Sequence, residues 1–385
     1  MKVAFLSEKY TPDIGGLAIS SQRLARLLAS AGHRVVVFAP TLNLPASETR
    51  TLSSNGISIT RFGAHKRMDD TLIDWFELLI EEYRREPFDV VHAYFLTQAG
   101  FVATYAGKYL SVPSVVSARG NDLERAILDS TRATHILYAL NHADAVTTNA
   151  NELAKKARAL VPDLEVTVIP NGIDSEHFKP LPRNNALAES LNLIDEGKVK
   201  ETSGVIGFAG ELREKKGMHT LLAAYAQVNK KIPATLLIVG DIRTGEDKQR
   251  FEEFRHSNPD GRIVVTGFVS PNDLPAYYAL MDVLVHPSLR DGLPNALLES
   301  MGCEKAVVGT TVGGITDAVA DCENGRLVPA KDTDQLASAI QELLSDNQLR
   351  RRLGKAARQT IMERFTLQTE LSRNLVLYRH LGLKT

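Results

Sequence analysis

Hydrophobic and polar positions along this chain fall into two alternating registers. Short unbroken runs of Val, Ile and Leu are separated by longer stretches in which apolar residues recur every three or four positions. That is how buried parallel strands alternate with amphipathic helices. Lys2–Ser7 reads as a strand, Ala18–Ala31 as a helix closed by Gly32, and Arg34–Ala39 as a second strand, which together make a βαβ unit. Further strands are expected at Val90–Ala93, Ser114–Ser117, Ala145–Thr148 and Val166–Ile169. The pattern pauses at Lys179–Ser203, where Pro180, Pro182, paired Asn184-Asn185 and mixed charges predict an exposed connection. It then restarts with strand Val205–Ala209, a glycine-flanked loop, helix Met218–Asn229 and strand Thr235–Val239. Strands at Ile263–Thr266, Val283–Val285, Ala306–Gly309 and Arg326–Val328 follow. The predicted fold class is α/β, with two successive domains on largely parallel sheets.

Size and charge narrow the function. A chain of 385 residues exceeds what one core usually supports, so two domains of roughly 150–200 residues are expected. A formal net charge of -1 argues against a nucleic-acid binder, whose phosphate contacts demand a basic surface. Cys303 and Cys322, set among apolar neighbours, read as reduced thiols of a cytoplasmic chain rather than a disulfide or zinc framework. No apolar run approaches the ~18 residues of a membrane span. The run Val3–Leu6 is cut short by Glu8 and Lys9, which fits a first strand better than a signal segment.

Candidate chemistry gathers where strands give way to helices. Gly15-Gly16 precede the first helix, and Gly210–Gly217 separate a strand from a helix in the second half. Glycines there let backbone approach a phosphate, and the following helix terminus offers oriented N–H donors. Neither loop spells a dinucleotide fingerprint or a P-loop. Arg213 and Lys216 lift the second loop above an ordinary turn, since both can neutralise a diphosphate. Pro287 to Gly302 carries Asp291 and Glu299 eight positions apart, one on a Gly-Pro turn and one on the helix that follows. Pro294 sits near that helix start, and the N–H groups of Asn295 and Ala296 point out of it.

Taken together, these segments resemble the GT-B fold retaining glycosyltransferases of family 4, also known as glycosyl transferases group 1. The resemblance rests on Gly15-Gly16, Asp89-Val90-Val91-His92, Arg119-Gly120-Asn121-Asp122, Ile169-Pro170-Asn171-Gly172-Ile173-Asp174, Gly210 to Gly217, Gly267-Phe268-Val269, Pro287 to Glu299 and Gly313-Gly314. It implies two Rossmann-like β/α/β domains facing each other across a deep cleft. Residues 1–178 with a returning C-terminal helix at 365–385 would form the acceptor-binding domain, and 179–364 the nucleotide-sugar donor domain. By the same resemblance, Glu299 holds the ribose, Asp291 reaches the donor sugar, and Lys216 with Arg213 meets the diphosphate. Gly15, Gly16, Gly210, Gly292, Leu293, Pro294, Asn295 and Ala296 line sugar and phosphates, while Phe268 and Val269 line the base. His92 and Arg119 fall near the reacting centre.

Three residues depart from the family pattern. Asp291 stands where glutamate is usual, Glu211 where an arginine is expected after Gly210, and Arg119 where a histidine often precedes Gly120. Arginine cannot act as a base at neutral pH, so Arg119 is read as orienting an acceptor or offsetting phosphate charge, with an ion pair to Asp122 or Glu124 as the structural alternative. His92 is equally readable as a buried, hydrogen-bonded core histidine. Asp332-Thr333-Asp334 resembles a metal-binding D-x-D, yet it precedes the apolar-periodic run Leu336–Leu344, so Asp332 is expected to be an N-cap.

The implied activity is transfer of a hexosyl group from a UDP- or GDP-linked sugar to an acceptor hydroxyl, with retention and without metal or cofactor. The acceptor could be a glycan, a lipid-linked sugar or a small molecule, in polysaccharide, glycolipid or glycoconjugate synthesis. A non-catalytic nucleotide-sugar binding protein and a nucleotide-sugar epimerase are the alternatives. The basic, partly aromatic stretch Arg61–Arg67 is compatible with a peripheral contact on the inner membrane face, although a solvated loop is the simpler reading.

Overall fold

In the computed structural model, which describes residues 1–13, 15–193 and 204–385, the chain divides into two compact units. Met1–Asn171 and Leu367–Thr385 form the first, Gly172–Thr366 the second. The expected connection 179–203 opens into a short helix at Asn185–Ser190, and its part from 194 to 203 lies outside the described residues.

The first unit is built on β1 (Lys2–Ser7), β2 (Arg34–Ala46), β3 (Thr49–Ser54), β4 (Ile57–Gly63), β5 (Val90–Tyr94), β6 (Ser114–Ala118), β7 (Ala145–Thr148) and β8 (Val166–Val168). Their spatial order is β3-β4-β2-β1-β5-β6-β7-β8, parallel throughout except for β3 against β4. All six residues of β1 are buried, as expected of a central strand with helices on both faces. The second unit carries β9 (Val205–Ala209), β10 (Thr235–Val239), β11 (Arg262–Val265), β12 (Val283–His286), β13 (Ala306–Thr310) and β14 (Arg326–Val328), all parallel, in the order β11-β10-β9-β12-β13-β14. This order is that of a doubly wound nucleotide-binding sheet, and it reverses direction between β9 and β12. In the first unit the reversal falls between β1 and β5. Ligands of such sheets bind outside the carboxyl ends of the strands at that reversal.

Two expectations are corrected. Residues 172–178, assigned by sequence to the first domain, belong to the second because Ile173 and Phe178 pack in its core. The stretch Arg61–Arg67 is no plain loop: Arg61–Gly63 ends β4, and Arg61 donates to Asp13 Oδ2 (3.1 Å), Pro40 O (3.2 Å) and Tyr10 O (2.5 Å). It is strand because Asn55 and Gly56, at φ 51 and 77, form the tight left-handed turn that closes a β3–β4 hairpin. His92 lies in the middle of β5, beside Phe5 and Val115.

The final helix, Leu367–His380, packs with the first unit. Leu371, Leu377 and Tyr378 join Val3, Phe5 and Leu24 on one face of its sheet. Among the described residues no helix is long and apolar enough to cross a membrane.

Candidate active site

The second unit concentrates the predicted site at the reversal of its sheet. β9 ends at Ala209, and the chain crosses Gly210 at φ 120 to reach a short turn of 3-10 helix at Glu214–Lys216. Gly217 then enters helix Met218–Lys231 at φ 78. Across the reversal, β12 gives way to the loop from Pro287 to Pro294 and helix Asn295–Gly302. The two loops touch: Leu289 N donates to Lys215 O at 2.9 Å, and a Cβ on Gly217 would lie 1.9 Å from Pro287 O. On the other side, Gly313 lies so close that a Cβ there would fall 1.6 Å from Asp291 O, and Gly314 N donates to Gly292 O at 2.7 Å. Two glycines therefore clamp the loop that carries Asp291. Only residues without side chains fit both contacts.

Lys216 and Asp291 are brought together as a direct ion pair between Nζ and Oδ2, each partly open to solvent. The same oxygen accepts from Ser288 Oγ at 3.2 Å and meets His286 Nε2 at 3.2 Å. Burial pushes the Asp291 carboxyl up, but the Lys216 charge, with His286 behind it, outweighs burial and holds it well below the usual carboxylate range. His286 is nearly fully buried and stacked on Phe208 at an interplanar angle of 13°; burial lowers its basicity, opposed by Asp291. All these contacts fall on Oδ2, and Oδ1 makes no hydrogen bond among the described residues. The shorter acid is thus anchored to its own loop with one oxygen presented.

Glu299 lies on helix Asn295–Gly302 and accepts a 2.8 Å hydrogen bond from the hydroxyl of buried Tyr278. Pro294 caps that helix, leaving the first-turn N–H groups at Asn295 and Ala296 with no carbonyl of their own helix to bond. Leu293 turns its side chain into the core. Phe268 is 71% exposed, whereas Val269 packs partly against the core. Arg213 is paired with Glu211 (NH1 to Oε2, 3.3 Å), so in this state the guanidinium offered in place of the missing arginine is engaged by the very acid that displaced it.

The remaining predicted residues lie in the first unit. Gly15, at φ 131, caps helix Gly16–Ser30, and added Cβ atoms on Gly15 or Gly16 would meet nothing within 4 Å. His92 is fully buried, with Nδ1 2.7 Å from Tyr378 Oη and Nε2 2.9 Å from Ser117 Oγ; burial, reinforced by Arg119, lowers its pKa to about 3. It is a neutral core histidine, as the blander of its two readings expected. Arg119 follows β6, donates from NH1 to Asn171 Oδ1 (2.8 Å), and lays its guanidinium 3.6 Å from the Tyr94 ring centroid. The ion pair envisaged with Asp122 or Glu124 does not form. Asp122 instead accepts the backbone N–H groups of Arg119, Gly120 and Leu123, and Glu124 meets Lys156 at 3.1 Å. Asp332 caps helix Thr333–Ser345 by accepting from Gln335 N at 2.9 Å, the N-cap role its position suggested.

Sequence reading missed Tyr278, His286 and Ser288. The last two flank Pro287 at the end of an apolar strand and stand five and three positions before Asp291, a placement that could have marked them as its supports.

This architecture and loop chemistry recur in known proteins. The family description "Glycosyltransferase Family 4" matches residues 14–177, and "Glycosyl transferases group 1" matches residues 191–360. An uncharacterised glycosyltransferase of Methanocaldococcus jannaschii is 26% identical over 98% of both chains. Among solved structures, sucrose-phosphate synthase from Thermosynechococcus elongatus superposes with a TM-score of 0.81 at 24% identity, covering 99% of each chain. The Anabaena protein HepE, solved in complex with UDP-glucose, does so with a TM-score of 0.79 at 20% identity over the whole of both chains. With the two family descriptions together spanning most of its length and both parallel sheets of the GT-B fold in place, this chain belongs to the family 4, group 1 glycosyltransferases.

Proposed function

We propose that the chain transfers a hexosyl group from a nucleotide-diphosphate sugar to an acceptor hydroxyl with retention of anomeric configuration and without a metal. The observation that carries this reading is the Lys216–Asp291 pair at the sheet reversal, between a glycine loop and a helix N-terminus. A diphosphate arriving there meets Lys216 and the first-turn N–H groups of Asn295 and Ala296, which offset the charge that builds on the leaving group. Lys216 exchanges its carboxylate partner for phosphate, and Asp291, still held by Ser288 and His286, turns Oδ1 to a sugar hydroxyl. Glu299, fixed by Tyr278, accepts from the ribose, and Phe268 offers an exposed ring to the base.

Neither acid is assigned as a glycosyl nucleophile, since Asp291, held by Ser288 and His286, is turned to a sugar hydroxyl and Glu299 to the ribose. By the resemblance to retaining members of the family, the acceptor hydroxyl attacks from the leaving-group side and the departing phosphate takes its proton. UDP-glucose is the ligand of the solved HepE complex, and a uridine or guanosine diphosphate sugar is the donor proposed here. The pathway proposed is glycan, glycolipid or glycoconjugate assembly on the cytoplasmic side.

Turnover tests the reading. Release of nucleoside diphosphate should require both donor and acceptor, persist in excess EDTA, and give a product whose anomeric coupling constant matches the donor. Inversion would overturn the mechanism. Binding of donor with no turnover on any acceptor would point to a binding protein, and sugar isomerisation without acceptor to an epimerase.

A further inference from the structure

Tyr94 ends β5, Arg119 follows β6 and Asn171 follows β8, so all three stand at the carboxyl edge of the first sheet, where open α/β sheets bind ligands. The Arg119 guanidinium is held on two sides, by the Tyr94 ring face and by Asn171 Oδ1. Its Nε is buried with no hydrogen-bond partner. Neighbouring carboxylates are engaged elsewhere. Asp122 accepts backbone N–H groups, Glu124 takes Lys156, and Glu370 takes Arg23 at 2.7 Å. Among the described residues no carboxylate forms an ion pair with Arg119. A half-buried arginine whose Nε is shut off from water, and which is oriented by neutral groups alone, bears part of a desolvation cost that a counter-anion offsets. A planar fork with unused N–H groups is matched to a carboxylate or a phosphate.

We infer that Arg119 is a binding site for an anionic group, a carboxylate or phosphate, carried by one of the two substrates. The inference rests on the transferase reading above. The charge has two sources: a carboxylate on the sugar being transferred, or an anionic group on the acceptor.

The test uses the full chain saturated with UDP or GDP, whichever raises its melting temperature, so that the Lys216 site is filled. Matched probes are then titrated by calorimetry or ligand NMR: glucuronate against glucose for a charged donor sugar, glycerol 3-phosphate against glycerol for a charged acceptor. One anionic probe is expected to bind about tenfold or more tightly than its neutral partner. Arg119→Gln should erase that preference, and Arg119→Lys should keep part of it. Retained UDP or GDP binding by each variant shows that the chain is folded, and the wild-type comparison needs no variant at all. Which pair shows the preference identifies the source. Equal binding of charged and neutral probes by the wild type, or an undiminished preference in Arg119→Gln, overturns the inference. Failure to bind either nucleotide would instead overturn the transferase reading, and the inference with it.

Discussion

Tyr278 donates its hydroxyl to Glu299 Oε2 at 2.8 Å, so the proposed ribose carboxylate is aimed by a side chain that is itself almost wholly buried. Tyr278→Phe keeps the ring and removes only that bond. Stability should fall by about 1 kcal/mol, and nucleotide affinity severalfold, less than in Glu299→Ala, where the ligand itself is gone. Calorimetric titration of all three forms with the nucleotide diphosphate checks the ranking. An unchanged affinity in Glu299→Ala would sink the ribose assignment.

Lys216 is proposed to meet charge that develops as the bond breaks. Lys216→Ala should therefore lower kcat by roughly 100-fold with a smaller effect on donor KM. The same change leaves Asp291 in its pocket without its cation, and the carboxyl pKa should rise. Activity in Lys216→Ala should accordingly be lost at mildly acidic pH where the wild type is still ionised at Asp291. A wild-type turnover number would contradict the leaving-group role.

Two buried groups in the first unit give opposing acid responses. Burial raises Asp122 to about 6, against an ordinary 3.8, despite the backbone N–H groups it accepts. The folded state then binds its proton first, so this group favours folding increasingly as pH falls from about 6 toward 4, by on the order of 2–3 kcal/mol. His92 is depressed to about 3, so its contribution is present above pH 6.5 and is lost as pH falls toward the folded value. In Asp122→Asn only the histidine effect remains. Urea midpoints measured from pH 7 to pH 4 should drop more steeply in that variant than in the wild type, and parallel curves would refute the buried-carboxyl account.

The glycine clamp is a steric claim and can be tested as one. Gly217→Ala would place a methyl against Pro287 O at a backbone φ of 78 that alanine rarely adopts. The loops must separate, with a loss of about 3 kcal/mol in stability. Because Lys216 is the preceding residue, kcat should fall alongside. Thermal melting and turnover that both match the wild type would show that the contact yields freely.

Much of the fold was readable from the chain because buried parallel strands leave dense apolar runs. Ala145–Thr148, Val205–Ala209, Thr235–Val239 and Arg326–Val328 fall where the pattern put them. The β3–β4 hairpin escaped because β3 is exposed along its whole length, Thr-Arg-Thr-Leu-Ser-Ser, and carries no apolar run; only Asn55-Gly56 announced it. In the candidate site, charged residues beside glycine at the strand-to-helix turns, Lys216 and Asp291 among them, stood out in the sequence. Their supports were not. Tyr278 and His286 look like core residues because they are core residues, and what makes them matter is the single polar atom each turns toward a carboxylate. The pairing of Arg213 with Glu211 and the stacking of Arg119 on Tyr94 depend on rotamers that spacing does not encode.

The returning helix Leu367–His380 sets an order for synthesis. A ribosome releases the first sheet long before it makes Tyr378, so during translation of the second unit His92 lacks its Nδ1 partner and Arg23 lacks Glu370. The second unit is continuous from Gly172 to Thr366 and draws on no segment beyond it. The first unit thus depends on both ends of the chain, and a chain that stops short of Leu367 leaves the ribosome without the partners of His92 and Arg23.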